Sequence, residues 1–106
     1  MEFSFGEGEY QEGQKHFSGK IILGEHKLYL RGEEGDLAPT YIPLEKIEWI
    51  KKKAAAMEIQ VRPAMSFRYF AVIKGERQHM TELVNEIVKR RGLKKLFLRN
   101  EWKEPL

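Results

Sequence analysis

The sequence predicts a mainly β domain that ends in one α-helix. Between residues 2 and 73, short segments alternate apolar and polar side chains, and stretches containing Gly or Pro separate these segments. Helical periodicity appears instead over residues 76–92. The chain has 106 residues, of which 42% are hydrophobic, and this suits one domain with its own core.

The first segment, EFSFGE, alternates, with Phe3 and Phe5 on one side, and predicts a short strand. The following GEGEYQEG, residues 6–13, contains three glycines and three glutamates. Because glycine is depleted in strands and common in turns, this segment predicts a loop.

Residues 15–31 predict a β-hairpin. The segments KHFSGKIIL and KLYLR have strand composition, and GEH between them predicts a tight turn. Phe17, Lys20 and Ile22 do not keep one alternation, so a bulge is expected at Gly19.

A second hairpin is predicted after a polar loop at residues 32–39. Pro43 cannot donate to a β-ladder, so the strand in TYIPLEKIEWI should begin at an edge or be interrupted there. Ile47 and Trp49 share a parity, which predicts that Trp49 points into the core.

The return strand MEIQV, residues 57–61, has the cleanest alternation in the chain. The three lysines 51–53 and the alanines after them are therefore expected at the tip of this hairpin, with water as their default partner. After the turn PAMS, FRYFAVI is apolar on both faces towards its end and predicts a central strand.

The segment ERQHMTELVNEIVKRRG predicts an amphipathic helix with one apolar stripe. The stripe consists of Met80, Leu83, Val84, Ile87 and Val88. Cations in the last turn suit the helix dipole, and Gly92 suits the position after the helix. Residues 93–106 predict either a second short helix or a docked tail held by Phe97 and Trp102.

Two stretches resemble the GRAM and bacterial PH-like family. They are FSGKIILGEHKLYLRG and, after a polar loop, YIPLEKIEWIKKK. The family pattern is a Gly-containing strand, a turn, a second strand, and an I-P-hydrophobic-x-x-I stretch before a basic hairpin. The matching residues are Gly19, Leu28, Tyr29, Ile42, Pro43, Leu44 and Ile47. SFRYFAVI is similar to the last strand of the family and residues 77–91 to its helix, so the resemblance covers roughly residues 15–91.

This resemblance implies a single PH-like domain over residues 1–106, built as a two-sheet, partly open antiparallel barrel that the helix caps. It also implies a non-enzymatic module, since family members bind phosphoinositides, bind proteins or serve as scaffolds. The role that we expect is protein–protein interaction or self-association, through a sheet edge to which a partner adds a strand.

The residues themselves indicate no enzyme, metal or cofactor chemistry and no small-molecule substrate. The chain has no cysteine, and His16, His26 and His79 show no metal-ligand spacing. No phosphate-binding glycine loop or nucleophile elbow is present. Phe67, Tyr69 and Phe70 are expected in the core; the alternative is a stacking platform for single-stranded nucleic acid.

Acidic and basic residues are distributed unequally between the two halves of the chain. Residues 1–50 contain five Lys/Arg and ten Asp/Glu, whereas residues 51–106 contain fourteen and six, for a net charge of +3 overall. The alternative function is therefore peripheral binding of acidic lipid headgroups, and nucleic-acid binding is a weaker alternative. The candidate anion-binding residues are Lys51, Lys52, Lys53, Arg68 and Lys74.

The location expected from the sequence is the cytoplasm. The N-terminus has no apolar run of the kind found in signal peptides, and the absence of cysteine fits a reducing compartment.

Overall fold

A computed structural model describes residues 1–32, 41–96 and 99–105. Within these residues the chain forms nine β-strands and one α-helix. The strands are β1 (Phe3–Glu12), β2 (Lys15–Leu23), β3 (Lys27–Arg31), β4 (Ile42–Pro43), β5 (Ile47–Lys53), β6 (Ala56–Val61), β7 (Tyr69–Gly75), β8 (Lys94–Lys95) and β9 (Glu101–Lys103). Helix α1 spans Arg77–Arg91.

All strand pairs are antiparallel, and the sheet order is β4-β3-β2-β1-β7-β6-β5-β9-β8. The prediction of a mainly β fold with one helix after a series of antiparallel strands is confirmed, and the sheet is not closed. Pairing of β1 with β7 joins β1–β4 to β5–β7 in one hydrogen-bonded sheet. The expected central position of β7 is also confirmed, since it lies between β1 and β6.

Strand β1 runs through the segment that was expected to be a loop, so that prediction is wrong. A side chain on Gly8 would overlap the carbonyl oxygen of Lys74 and the side chain of Ile21. Gly6 has a φ of +80°, which a residue with a side chain rarely adopts. These glycines are therefore required by the close approach of neighbouring strands and by a bend inside β1.

The expected bulge at Gly19 is wrong, because the bulge lies on the neighbouring strand β1. The β1–β2 register shifts between Ser4 and Glu7, whereas Gly19 pairs regularly with Gly8. The extra residue on β1 changes the alternation across the pair. The turn after β2 is confirmed, with the Gly24 N–H donating to the Lys27 carbonyl at 2.9 Å.

A second bulge reverses the orientation of Trp49. The β5–β6 register shifts between Ile47 and Trp49, so Ile47 and Ile50 are fully buried while Trp49 is only half-buried. The prediction that Trp49 points into the core is therefore wrong. The return strand is as predicted, since its three apolar residues are all buried.

The core lies between the sheet and α1, which packs against β1, β5, β6 and β7. The predicted stripe is confirmed: Met80, Leu83, Val84 and Ile87 are buried, and Val88 packs against the core. Glu76 caps the helix N-terminus by accepting from the backbone N–H groups of two residues in the first turn. Gly92 ends the helix with a φ of 64°, as predicted.

Over its described residues, the C-terminal segment forms the β8–β9 hairpin, which docks on β5 and contains no helix. β9 pairs with β5, and Trp102 opposes Ile50 and packs against the core. Phe97, the other expected contact, lies outside the described residues, as does residue 33 onward of the loop predicted at 32–39.

Candidate functional site

Three large apolar side chains are exposed along one short segment that includes the start of β7. Met65 is 96% exposed, Phe67 is 93% exposed and Phe70 is 53% exposed. The expectation that Phe67 and Phe70 lie in the core is therefore wrong. Tyr69 does pack against the core, and burial raises the pKa of its hydroxyl. Alternation along β7 could have shown this, because Tyr69, Ala71 and Ile73 share the inward face.

Phe70 meets Trp49 on the solvent-facing side of the sheet. The two rings are 6.1 Å apart at their centroids with an interplanar angle of 84°, an edge-to-face pair. The indole Nε1–H of Trp49 donates to Glu101 at 3.2 Å. We call this aromatic pair, together with the exposed Phe67 three residues before Phe70 in the chain, the aromatic patch. Sequence reasoning could not place Trp49 in it because the β5 bulge leaves no mark in the alternation.

An open groove of about 540 Å³ adjoins the aromatic patch. Its lining includes Glu48, Trp49, Gln60, Arg68, Lys103 and Glu104. One wall comes from β9, because Lys103 pairs in register with Trp49. The docked C-terminal hairpin thus helps to form the groove.

Glu48 binds three other side chains at the groove. Its carboxylate accepts hydrogen bonds from Arg68 Nε at 2.6 Å and Gln60 Nε2 at 2.8 Å, and pairs with Arg62 Nε at 3.1 Å. The Glu48 side chain is only 12% exposed. Charge-assisted hydrogen bonds of this kind fix the position of Arg68 beside the aromatic patch.

The ion-pair network continues to the C-terminal hairpin and the end of α1. Glu104 pairs with Arg62 at 3.3 Å and with Arg91 at 2.6 Å. Arg91 also donates to the Ile47 carbonyl oxygen, and Arg90 donates to that of Gly24. The side chains of Arg90 and Arg91 at the end of α1 are thus hydrogen-bonded to other parts of the domain.

Two of the three lysines at 51–53 face the same side as the aromatic patch. Lys51 and Lys53 are exposed and share their parity with Trp49, whereas Lys52 has the opposite parity and donates to the Ala54 carbonyl oxygen at 2.9 Å. Lys74 lies in the same register row as Lys53, with Ala56 between them. Their backbones are therefore about 10 Å apart, two strand spacings.

Arg68 does not join these lysines. It precedes Tyr69, which pairs with Val61 at the far end of β6 from the lysine hairpin, about 17 Å along the strand. The basic helix end is also remote, since Arg91 contacts Ile47 at the start of β5, whereas Lys53 ends that strand. The candidate anion-binding residues thus divide into Lys51, Lys53 and Lys74 on one side and Arg68 at the groove.

The hairpin tip itself consists of Ala54 and Ala55, and the lysines belong to β5. Lys51 lies in register between Glu58 on β6 and Glu101 on β9. Opposite charges directly across a strand pair partly neutralise one another. The outer face is therefore basic and apolar with carboxylates between the cations, not a continuous positive track.

Within the described residues there is no cluster of three or more His, Cys, Asp or Glu side chains that could hold a metal ion. No helix in that part of the chain has the length and apolar character to cross a bilayer. A scan of the sequence against protein-family models gives no match. A search of curated proteins gives no match either.

Proposed function

We propose that this chain is a non-enzymatic, PH-like binding module that engages another protein, or a second copy of itself, through the aromatic patch. The observation that carries the proposal is the exposure of Phe70, whose ring contacts Trp49 at the groove, and of Phe67, which directly precedes Arg68 of the groove. A cytoplasmic location belongs to the same proposal, because the chain uses no cysteine.

The composition of the patch supports a protein partner. Aromatic residues and Arg are enriched in the centres of protein interfaces, where each aromatic side chain can bury about 150–250 Å². Here Arg68 is held beside the aromatic rings by Glu48, so little side-chain entropy remains to be lost on binding. A fixed cation among exposed aromatics is the arrangement expected at a binding hot spot.

The edges of the sheet favour binding of a partner on the solvent-facing side over addition of a partner strand at an edge. The outermost strands of the described sheet, β4 and β8, have two residues each, and β4 contains Pro43. Short edge strands and proline both limit pairing with an added strand. A partner would therefore find more contact area on the outer face than along either edge.

The proposal is tested by panning a random-peptide display library against the wild-type protein and then measuring the affinity of the enriched peptides for wild type and for the F67S/F70S variant. We expect enrichment of peptides that bind wild type and lose about tenfold or more in affinity for F67S/F70S. The matched control is Tyr41→Ser, because Tyr41 is 53% exposed, the same fraction as Phe70, but lies outside the patch. Enriched peptides that bind wild type and F67S/F70S equally would contradict the proposal.

Self-association is the second form of the same proposal. Light scattering after size exclusion distinguishes it: a wild-type dimer that F67S/F70S converts to monomer would show that the patch binds a second copy. A monomeric wild type with patch-dependent peptide binding would instead support a different protein as the partner.

Acidic lipid headgroups are the alternative ligand, supported by the exposed Lys51 and Lys53. Each Lys close to an anionic membrane contributes about 1 kcal/mol, but Glu58 and Glu101 flank Lys51. Vesicles with and without anionic lipid should be compared for wild type and K51S/K52S/K53S. Equal and negligible binding by both proteins would eliminate this alternative.

A further inference from the structure

We propose that the partner presents a short segment that contains acidic residues and one apolar anchor residue. The carboxylates of this segment bind Lys94 and Lys103 beside the patch, and the anchor contacts Trp49 and Phe70. This inference rests on the proposed function and specifies the chemistry of the partner. It follows from one register row across the sheet, in which cations and aromatic rings are neighbours.

The row contains Lys94, Lys103, Trp49, Gln60 and Phe70 on five consecutive strands. Residues paired in register project to the same face of a sheet. Lys94 and Lys103 are both exposed. Lys103 thus stands directly next to Trp49, and Lys94 lies one strand further out, on the side of the groove that β9 forms.

Lys94 and Lys103 directly oppose each other on β8 and β9. Like charges at such positions are destabilising, because their Cβ atoms lie only about 5 Å apart. A carboxylate placed between the two ammonium groups would relieve this repulsion. The hairpin thus has an arrangement that favours an anionic ligand.

The carboxylates at the groove already form ion pairs or hydrogen bonds with other side chains of the protein. Glu48 and Glu104 are each paired with two arginines, and Glu101 accepts from Trp49 and pairs with Arg99. By contrast, no carboxylate of the described residues lies at ion-pair distance from Lys51, Lys53, Lys94 or Lys103. The unpaired charge next to the aromatic pair is therefore mainly positive, and Glu58 offsets only part of it.

The dimensions suit a short extended segment. Lys103 and Phe70 are separated by three strand spacings, about 14 Å, which an extended chain covers in four to five residues at about 3.3 Å each. One acidic residue over Lys103 and one apolar residue over Phe70 therefore fit within a single short segment.

Single-stranded nucleic acid would need a basic groove that follows its backbone and open ring faces for stacking. The edge-to-face geometry of Trp49 and Phe70 covers part of these faces, and carboxylates interrupt the cations. The structure therefore favours the acidic segment, and RNA enters the experiment as a competing ligand.

The test is fluorescence anisotropy with three labelled synthetic peptides and one labelled oligouridine. The first peptide alternates Glu and Ser around a central Leu-Phe pair, the second replaces Leu-Phe by Ser-Ser, and the third replaces every Glu by Lys. We expect the first peptide to bind at least about tenfold more tightly than the other two and the oligouridine. Its affinity should also fall as salt is added.

Charge reversal by K94E/K103E should weaken binding of the first peptide by about tenfold or more. K94S/K103S, which removes the charges without reversing them, should have a smaller effect in the same direction. Lys20→Glu is the matched control, because Lys20 is an exposed strand lysine on β2, far across the sheet from β9. Circular dichroism checks that each variant is folded.

Equal binding of the first two peptides would overturn the inference, because charge alone would then explain the affinity. Tighter binding of the oligouridine would overturn it in favour of nucleic acid. If display selects patch-dependent peptides but none of the acidic ones binds, the proposed function stands and the acidic partner is wrong.

Discussion

Trp49 on β5 contacts Phe70 on β7 edge-to-face across the intervening strand β6, with ring centroids 6.1 Å apart. The contact exists because the β5 bulge turns Trp49 to the same side of the sheet as Phe70. An aromatic pair thus lies on the solvent side of a sheet whose other side forms the core. Substitutions in this pair should therefore lower the affinity for a partner more than they lower the free energy of unfolding.

Phe70→Ala should lower the free energy of unfolding by only about 1 kcal/mol, because Phe70 is half exposed and loses chiefly its contact with Trp49. Ile73→Ala on the same strand should cost about 2–5 kcal/mol, since Ile73 is fully buried. Urea unfolding followed by circular dichroism measures both variants. A larger loss for Phe70→Ala than for Ile73→Ala would show that the aromatic pair is part of the core.

Glu48→Gln should destabilise the protein by about 1–2 kcal/mol, because it weakens the charge-assisted bonds to Arg62 and Arg68. The difference from wild type should shrink at high salt, since both arginines are largely exposed and their ion pairs are screened. Chemical unfolding at low and high salt measures the effect. Glu45→Gln, at an exposed residue, should be close to neutral, and an equal loss for the two variants would contradict the account.

Glu76 should make the helix N-terminus sensitive to acid. Hydrogen bonds from the backbone N–H groups of Gln78 and His79 lower the pKa of its carboxyl in the folded protein. A folded-state pKa below the unfolded value means that ionised Glu76 contributes its stabilisation above the ordinary pKa of about 4.3. This stabilisation is lost as the pH falls through the folded-state pKa.

Glu76→Ala should therefore be less stable than wild type at neutral pH, and the difference should narrow as the pH is lowered below the ordinary value. Unfolding free energies measured across this range provide the check. Glu82→Ala, also on the exposed side of α1, serves as the control. A gap between wild type and Glu76→Ala that widens towards acid would refute the capping role.

Ala54→Gly should stabilise the β5–β6 turn. Ala54 has a φ of 53°, in the left-handed region that costs a residue with a side chain about 1–2 kcal/mol. Glycine removes this cost but loses more conformational entropy on folding, so the net gain should be about 0.5 kcal/mol. Thermal unfolding measures it. The neighbouring Ala55→Gly should be destabilising, and a similar loss for both variants would disagree with the turn geometry.

The sequence predicts best the elements that bury one face with a regular period. The β6 strand at residues 57–61 and helix α1 both follow their predicted patterns, because each contributes one continuous stripe to the core. The turn at 24–26 and the helix end at Gly92 could be predicted for a different reason. Turn and cap residues act through their own backbone conformation, which the local sequence specifies.

The errors at Gly8 and Trp49 arise from the way in which neighbouring strands pair. The glycines of β1 suggested a loop, yet Gly8 is glycine because β7 passes too close for a side chain. One extra residue in β5 reverses the face of Trp49, and a bulge leaves no periodic signal. Apolar content then suggested a buried Phe70, although it occupies the outward parity of β7.

The most direct test of the aromatic patch uses the two tryptophan indole N–H groups as NMR reporters. Trp49 is in the patch, whereas Trp102 packs against the core on the other side of β9. Titration of the ¹⁵N-labelled protein with a display-selected peptide should shift the Trp49 indole signal and leave that of Trp102 nearly unchanged. A peptide that binds while the Trp49 signal stays in place would contradict the proposal that this face is the binding site.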